Sequence, residues 1–265
     1  MNKTFNFDGR DLFVFGRPGD PYFDHLNIGD HTNDFLLYVS KNFLSDDATI
    51  FDIGANIGVT AAILATAAPR GHILAFEPGA ETYAYLLATI DANNLSNCHS
   101  QQIALGKTSG EAGFLSNALS GSASHMAYDG ISLGGSNTRV TVKTVDDVVS
   151  EQKLTRVDFI KIDVEGFELD VLEGAKNTIT QLKPDVFLEF NAFTLIAYGN
   201  QNPRHVLEEL KRTFPYVYRF DGGVPHPVTD EASVLAFVHD NLIKRGCVDD
   251  LFCTFRELRP IMQGS

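Results

Sequence analysis

From Thr49 onward the apolar positions fall into short runs separated by longer amphipathic stretches. Thr49–Ile53 (TIFDI), His72–Phe76 (HILAF), His99–Leu105, Arg139–Val142, Val157–Asp163 (VDFIKID) and Asp185–Phe190 (DVFLEF) each have the length and residue types of a buried strand. Val59–Ala68, Glu81–Ala92, Phe167–Leu182 and Pro203–Phe214 have helical character. Their ends are punctuated: Pro69 stops the first, Asn93-Asn94 supplies a left-handed stop for the second, Lys183-Pro184 ends the third, and Pro203 sits in the first turn of the fourth. Thr144, with Asp147 three residues on, has the form of a capping box. Tyr216–Phe220 and Leu251–Phe255 complete the set as two final strands, with Asp221-Gly222-Gly223 as a turn. Strands alternating with helices predict βαβ units, a parallel sheet and right-handed crossovers.

Two segments break this rhythm. Residues 1–45 are aromatic-rich and predict short strands and turns to about Tyr22, then a helix over Asp34–Leu44. They form an N-terminal extension expected to pack on a catalytic domain spanning 46–265. Ser116–Asn137, SNALSGSASHMAYDGISLGGSN, is a Ser/Gly-rich loop, long enough to be either a lid or a plain mobile insert.

Composition narrows the function. The net charge of −13, with no Lys/Arg cluster, argues against nucleic acid and against an anionic membrane surface. Three cysteines, Cys98, Cys247 and Cys253, fit neither a disulfide framework nor a zinc motif. No apolar run approaches a membrane span, and the first residues lack a leader's apolar segment. The expectation is a soluble cytoplasmic protein with a core of Phe, Leu, Ile and Val, since there are 20 Phe and no Trp.

The chemistry begins at FDIGANIG, Phe51–Gly58, where a strand turns into a helix. Ligands of open α/β sheets sit beyond the carboxyl ends of strands, so a ligand approaching this backbone is expected, as is a plain tight turn. A dinucleotide loop would read GxGxxG; the pattern here is D-x-G-x-N-x-G, so an NAD-type oxidoreductase is disfavoured. Glu77 ends the next strand, in ILAFEP, where a carboxylate can accept both hydroxyls of a ribose. Loop and acid at consecutive strand ends point to a nucleoside ligand.

FDIGANIG, AFEP, QQIALG and VDFIKIDVEGFELDVLEGA together resemble the FkbM family of S-adenosylmethionine-dependent methyltransferases, over about Thr49 to Asn191. The resemblance implies a Rossmann-like class I fold: a mostly parallel seven-stranded sheet, last strand antiparallel, helices on both faces. It implies methyl transfer to a hydroxyl of a sugar, polyketide or other natural product, so the partner is a small-molecule or glycan acceptor. It also implies site roles. Gly54, Ala55 and Asn56 lie along the methionine part of S-adenosylmethionine. Asp52 orients the loop or meets the ammonium, and Gly58 lets the helix start close to the ligand. Glu77 takes the ribose hydroxyls, Pro78 flanks the adenine, and Gln102 and Ala104 line it.

An alcohol must lose its proton as it attacks, so a general base is expected. Asp163 is the first candidate, also able to touch the cofactor ammonium, with Lys161 on the same side of its strand to tune or merely pair with it. Glu165, Glu189 and His125 follow; each also has a plain structural reading as a helix-end charge, an ion-pair partner or an ordinary histidine. Asp163, Glu165 and Glu189 could instead hold a divalent cation, but no separate metal motif supports one and no metal is assigned. A non-catalytic cofactor-binding module is the other alternative, opposed by the full set of acids.

Overall fold

The computed structural model describes residues 1–26, 31–116, 124–127, 136–221 and 224–258. The chain opens with a hairpin, β1 (Asn2–Phe7) and β2 (Arg10–Phe15), followed by α1 (Pro21–His25) and α2 (His31–Asn42). The alternating part follows: β3 (Thr49–Ile53), α3 (Val59–Ala67), β4 (His72–Phe76), α4 (Ala80–Ala92), β5 (Cys98–Gln101) and β6 (Ala104–Leu105). Then come β7 (Gly110–Ser116), β8 (His125–Ala127), β9 (Ser136–Lys143), α5 (Val145–Glu151), β10 (Phe159–Ile162), α6 (Glu168–Gly174) and α7 (Lys176–Leu182). The last third holds β11 (Asp185–Asn191), α8 (Ala192–Ala197), α9 (Pro203–Thr213), β12 (Tyr216–Asp221), β13 (Val224–Pro227), α10 (Glu231–Lys244) and β14 (Val248–Thr254).

The main sheet runs β13-β12-β14-β11-β10-β3-β4-β5. Six strands point one way; β14 and β13 run against them. The expected seven-stranded sheet with an antiparallel last strand is present, and β13 adds an eighth strand at the edge. β13 and the long helix α10 occupy the stretch between the two strands expected last. Asp230 caps α10 by accepting from Ser233 N at 2.8 Å, with Ser233 reciprocating, which fixes where that helix begins.

Side chains alternate through the central strands, as the pleat requires. Phe51, Ile53, Ile160, Ile162, Val186 and Leu188 feed one buried cluster. Ile50, Phe159, Phe187 and Phe252 feed the other, together with α3 and the N-terminal hairpin. In the parallel register Lys161 faces Asp52 across β10 and β3. Both polar residues therefore lie on one side of the sheet, and each has the other as its compensation.

Several expectations are corrected. The helix over 167–182 is two helices, broken at Ala175. The strand over 99–105 divides into β5 and β6, and β6 leaves the main sheet to join a second one, β6-β9-β7-β8. Part of the Ser/Gly segment thus belongs to that sheet; the rest lies outside the described residues. Thr144 does cap α5, accepting from Asp147 N at 2.9 Å, but the capping box is not closed. Asp147 instead accepts from Ser109 Oγ, and Ser109 Oγ accepts from Thr144 N at 3.1 Å, so a serine stands between the two. The N-terminal hairpin is fastened to α4: Phe15 N donates to Thr89 Oγ1 at 3.1 Å and Phe13 N to Asn93 Oδ1 at 2.9 Å.

Candidate active site

A cleft opens at the carboxyl ends of β3, β4, β10 and β11, with the second sheet along one side. Its floor is the loop after β3. Gly54 has φ +76°, and a Cβ there would collide with the carbonyl oxygen of Asp163. The side chain is therefore excluded by the neighbouring strand's backbone, not by a ligand. Asn56, at φ 50°, occupies the left-handed region that asparagine tolerates. Gly58, at φ +93°, would meet Leu86 Cδ1 at 2.9 Å and Thr89; it faces α4 and not the cleft, correcting the expectation that it brings the helix to the ligand. The loop's amides are also taken internally. Gly54 N and Ala55 N both donate to Phe76 O, at 3.0 and 2.9 Å, and Asn56 N donates to Glu77 Oε2 at 3.1 Å. No open nest of amides is left at these three positions.

Glu77 follows β4 and is 7% exposed. Its other oxygen accepts from Gly79 N at 2.7 Å, so two amides fix the carboxylate at the cleft wall. Burial pushes its pKa up to about 7, against the pull of those two amides. Pro78, Ile103, Ala104, Leu105 and Phe114 continue the wall as an apolar surface. Gln102 does not belong to it: it is exposed and lines a neighbouring depression with Arg17 and Arg139.

Asp52 is fully buried and does not reach the cleft lining. It accepts from Thr60 Oγ1 at 2.7 Å and pairs with Lys161 at 3.5 Å, which ties β3 to α3 and to β10. Lys161, 2% exposed, donates to Gly54 O at 2.8 Å and pairs with Asp163 at 3.3 Å. Burial alone would lower its pKa; Asp163 and Asp52 outweigh it and hold the ammonium charged.

The far end of the cleft is acidic. Asp163, Glu165 and Glu189 each place an oxygen within 4.8 Å of the others. Beneath them Glu168, 2% exposed, accepts from Val164 N at 3.3 Å and Gly166 N at 3.0 Å. That carboxylate clasps the amides on either side of Glu165 and holds it at φ 54°. The IDVEG segment is therefore a turn wrapped around a buried glutamate. Sequence reasoning missed Glu168; the signal was an acid at the first turn of a helix, where it satisfies orphan amides. Burial, then the charges of Asp163 and Glu168, push the Glu165 carboxyl up to about 9. Burial, then Asp163 and Glu165, raise Glu189 well above the carboxylate range. Glu168 is pushed by burial to about 7. A proton shared between Glu165 and Glu189, or a hard cation, would relieve this crowding.

His125, placed in the Ser/Gly segment by sequence, lies on β8 and lines the cleft. Its ring stacks on Tyr198 at 3.7 Å and 6°. Phe193 meets Tyr198 edge-on at 5.8 Å. Tyr198 and Phe193 also escaped sequence reasoning, because α8 is a six-residue helix with no helical period long enough to read.

A doubly wound sheet with this strand order, and a cleft built from the ends of its first, second, fourth and fifth strands, defines a class I methyltransferase fold. The family model described as the methyltransferase FkbM domain matches residues 52–218, and the chain belongs to that family. S-adenosylmethionine is accordingly its cofactor. The residues present suit it: Glu77 offers acceptors for hydroxyls, Asp163 a negative charge for an ammonium, and the Pro78–Phe114 wall an apolar face for a base. The chain is similar to the hexuronic acid methyltransferase AglP of Haloferax volcanii, at 30% identity over 51% of this chain and 52% of that one. It is also similar to the 2-O-methyltransferase NoeI of Sinorhizobium fredii, at 27% identity over 67% of this chain and 76% of that one. The match thus spans about half the length of the first of these relatives. Among solved structures, the O-methyltransferase TomG of Streptomyces achromogenes aligns at 12% identity and TM-score 0.49, over 88% of this chain and 85% of that one. Among the described residues no helix is long and apolar enough to cross a membrane.

Proposed function

We propose that the chain transfers the methyl group of S-adenosylmethionine to a hydroxyl oxygen of a sugar or other natural product. The observation that carries this reading is the division of one cleft into a fixed half and an acidic half, Glu77 at one end and the Asp163–Glu165–Glu189 group at the other. The family relatives named for a hexuronic acid and for 2-O-methylation support a small-molecule acceptor.

When bound, the cofactor supplies an electrophilic methyl on a good leaving group, so much of catalysis is positioning. Glu77 is proposed to hold the ribose hydroxyls, Pro78 and Ala104 to flank the base, and Gly54, Ala55 and Asn56 to lie along the methionine part. Asp163 is proposed to meet the ammonium. Its carboxylate is already paired with Lys161 at 3.3 Å. The general base is then proposed in the Glu165–Glu189 pair; crowding raises both carboxyls, so near neutral pH it is the ionised fraction of the pair that accepts the hydroxyl proton. His125 stands beside them as the second candidate.

Calorimetry with S-adenosylmethionine and with NAD tests the cofactor half; heat with NAD alone would end this reading. A labelled-methyl screen over sugars, glycolipids and polyketide alcohols tests the acceptor half.

A further inference from the structure

Resting on the methyl-transfer reading, we propose that Tyr22 is a binding residue for the amino-acid end of S-adenosylmethionine, its phenol donating to the carboxylate. Among the described residues that line the cleft, Tyr22 alone comes from before residue 52, where the family match begins. It lines the neighbouring depression as well, so it stands where the two meet.

The local sequence fixes that position. Asp20 caps α1: its Oδ1 accepts from Tyr22 N at 2.9 Å and from Phe23 N at 3.3 Å, and Pro21 begins the helix without an orphan donor. Phe23 is 1% exposed and packs so closely on Gly16 that a Cβ there would come within 2.3 Å of its ring. With its neighbour anchored in the core, Tyr22 is held at the cleft. The preceding hairpin is tied to the loop after β3 through one hydroxyl. Thr89 Oγ1 accepts from Phe15 N at 3.1 Å and donates to Ile57 O at 2.8 Å. The segment that carries Tyr22 is thus registered against the cleft floor.

The floor itself leaves the carboxylate short of donors. The amides of Gly54, Ala55 and Asn56 are spent on Phe76 O and Glu77. Lys161 is 2% exposed and is engaged by Gly54 O, Asp52 and Asp163. Among the described lining residues there is no arginine. The ammonium and carboxylate of an amino acid share one carbon, so the group that serves one must stand near the group that serves the other. In the methyl-transfer reading Asp163 serves the ammonium. Lys161 pairs with Asp163 at 3.3 Å, and the Tyr22 phenol is close enough to Lys161 to be among the groups that act on its charge. A phenol both accepts and donates, so nearness to an ammonium leaves its proton for an anion.

The test is calorimetry with a matched pair of ligands. S-adenosylhomocysteine carries the amino-acid end; methylthioadenosine has the same nucleoside and thioether without it. Tyr22→Phe is expected to weaken S-adenosylhomocysteine by about tenfold or more, as for a lost hydrogen bond to a charged group, and methylthioadenosine by less than about twofold. A second variant reports position without relying on affinity. The chain has no tryptophan, so Tyr22→Trp supplies a single one, whose emission should change as S-adenosylhomocysteine saturates the site. Undiminished S-adenosylhomocysteine affinity in Tyr22→Phe overturns the proposal. So does an equal loss for both ligands, or an emission that saturation leaves unmoved. The reading beneath fails separately: wild-type S-adenosylhomocysteine affinity in Asp163→Asn would take the ammonium away from Asp163 even where Tyr22→Phe behaves as expected.

Discussion

Glu77 and Glu189 stand near the ends of two strands of one sheet, and burial raises the proton affinity of both. Their surroundings differ in kind. Glu77 receives two backbone amides, from Asn56 and Gly79, which offset part of the cost of burying a carboxylate. Glu189 receives the fields of Asp163, Glu165, Asp250 and Glu168, which add to it. One end of the cleft is thus settled by the protein's own backbone before any ligand arrives. The other stores repulsion that a proton or a substrate relieves. This electrostatic contrast supports the proposal that the amide-held end binds and the crowded end reacts.

The sharpest way to break this contrast is at the reacting half. Glu189→Gln is expected to reduce turnover by about 10²–10⁴, the range of general-base contributions, while cofactor affinity changes only a few-fold. Single-turnover kinetics beside calorimetry would check it. Asp163→Asn should show the reverse balance, a larger loss in cofactor affinity than in rate. If Asp163→Asn instead loses the greater turnover, the base is Asp163 and the division drawn here is misplaced.

Lys161 joins the two halves, and its loss should be felt in stability. Lys161→Met strips the charge partner from buried Asp52, which should cost about 3–5 kcal/mol, the usual penalty for breaking a buried pair from one side. Denaturant unfolding measures it. A loss below about 1 kcal/mol would mean that Asp52 is neutral in the fold and needs no partner.

At the binding half, Glu77→Ala should weaken cofactor affinity by about one to two powers of ten, since charge-assisted bonds contribute roughly 1.5–3 kcal/mol each and water replaces part of them. Glu77→Gln should fall between, because an amide keeps one accepting oxygen where the carboxylate serves two N–H groups. Wild-type affinity in Glu77→Ala would place the ribose elsewhere.

The last effect is on stability against pH, read over the window from pH 7 to 9. Glu165 titrates at about 9 in the fold, whereas an unfolded glutamate titrates near roughly 4.3. Through that interval the folded chain keeps a proton that the unfolded chain has released, so stability falls as pH rises. The contribution is complete below about pH 4 and gone above about pH 9. Glu165→Gln should flatten the decline between pH 7 and 9, as followed by thermal unfolding across pH. An unchanged slope would show that Glu165 is ionised in the native state.

The reach of the sequence differs between the same two halves. Asp52, Glu77, Asp163 and Glu189 were legible because each sits in or just after a largely apolar strand, where an acid is conspicuous. Lys161 was legible as Asp163's partner by simple alternation, though not as the partner of Asp52, which requires knowing that β10 pairs with β3. Glu168 and Tyr198 were not legible. One acts through the backbone of a turn and the other through a ring from a distant segment, and neither leaves a period in the sequence. The second sheet escaped because Ser/Gly composition hides strands whose partners lie far along the chain. Gly58 and Gln102 were placed at the ligand by the family resemblance; in the fold Gly58 packs against α4 and Gln102 faces outward.

The collision that keeps Gly54 bare also limits how this protein can be re-engineered. Variant libraries aimed at new acceptors would naturally diversify residues 163–166 and leave the cofactor loop alone. But the carbonyl of Asp163 lies where a Gly54 side chain would begin, so the two segments share one atomic slot. Any redesign that moves the backbone at 163 also moves the Gly54 loop. Transplants from other family members should therefore carry both segments as a matched pair; Gly166 in turn packs against Thr194 and Gly199, so diversity is better sought at the exposed side chains of Phe193 and Ile196.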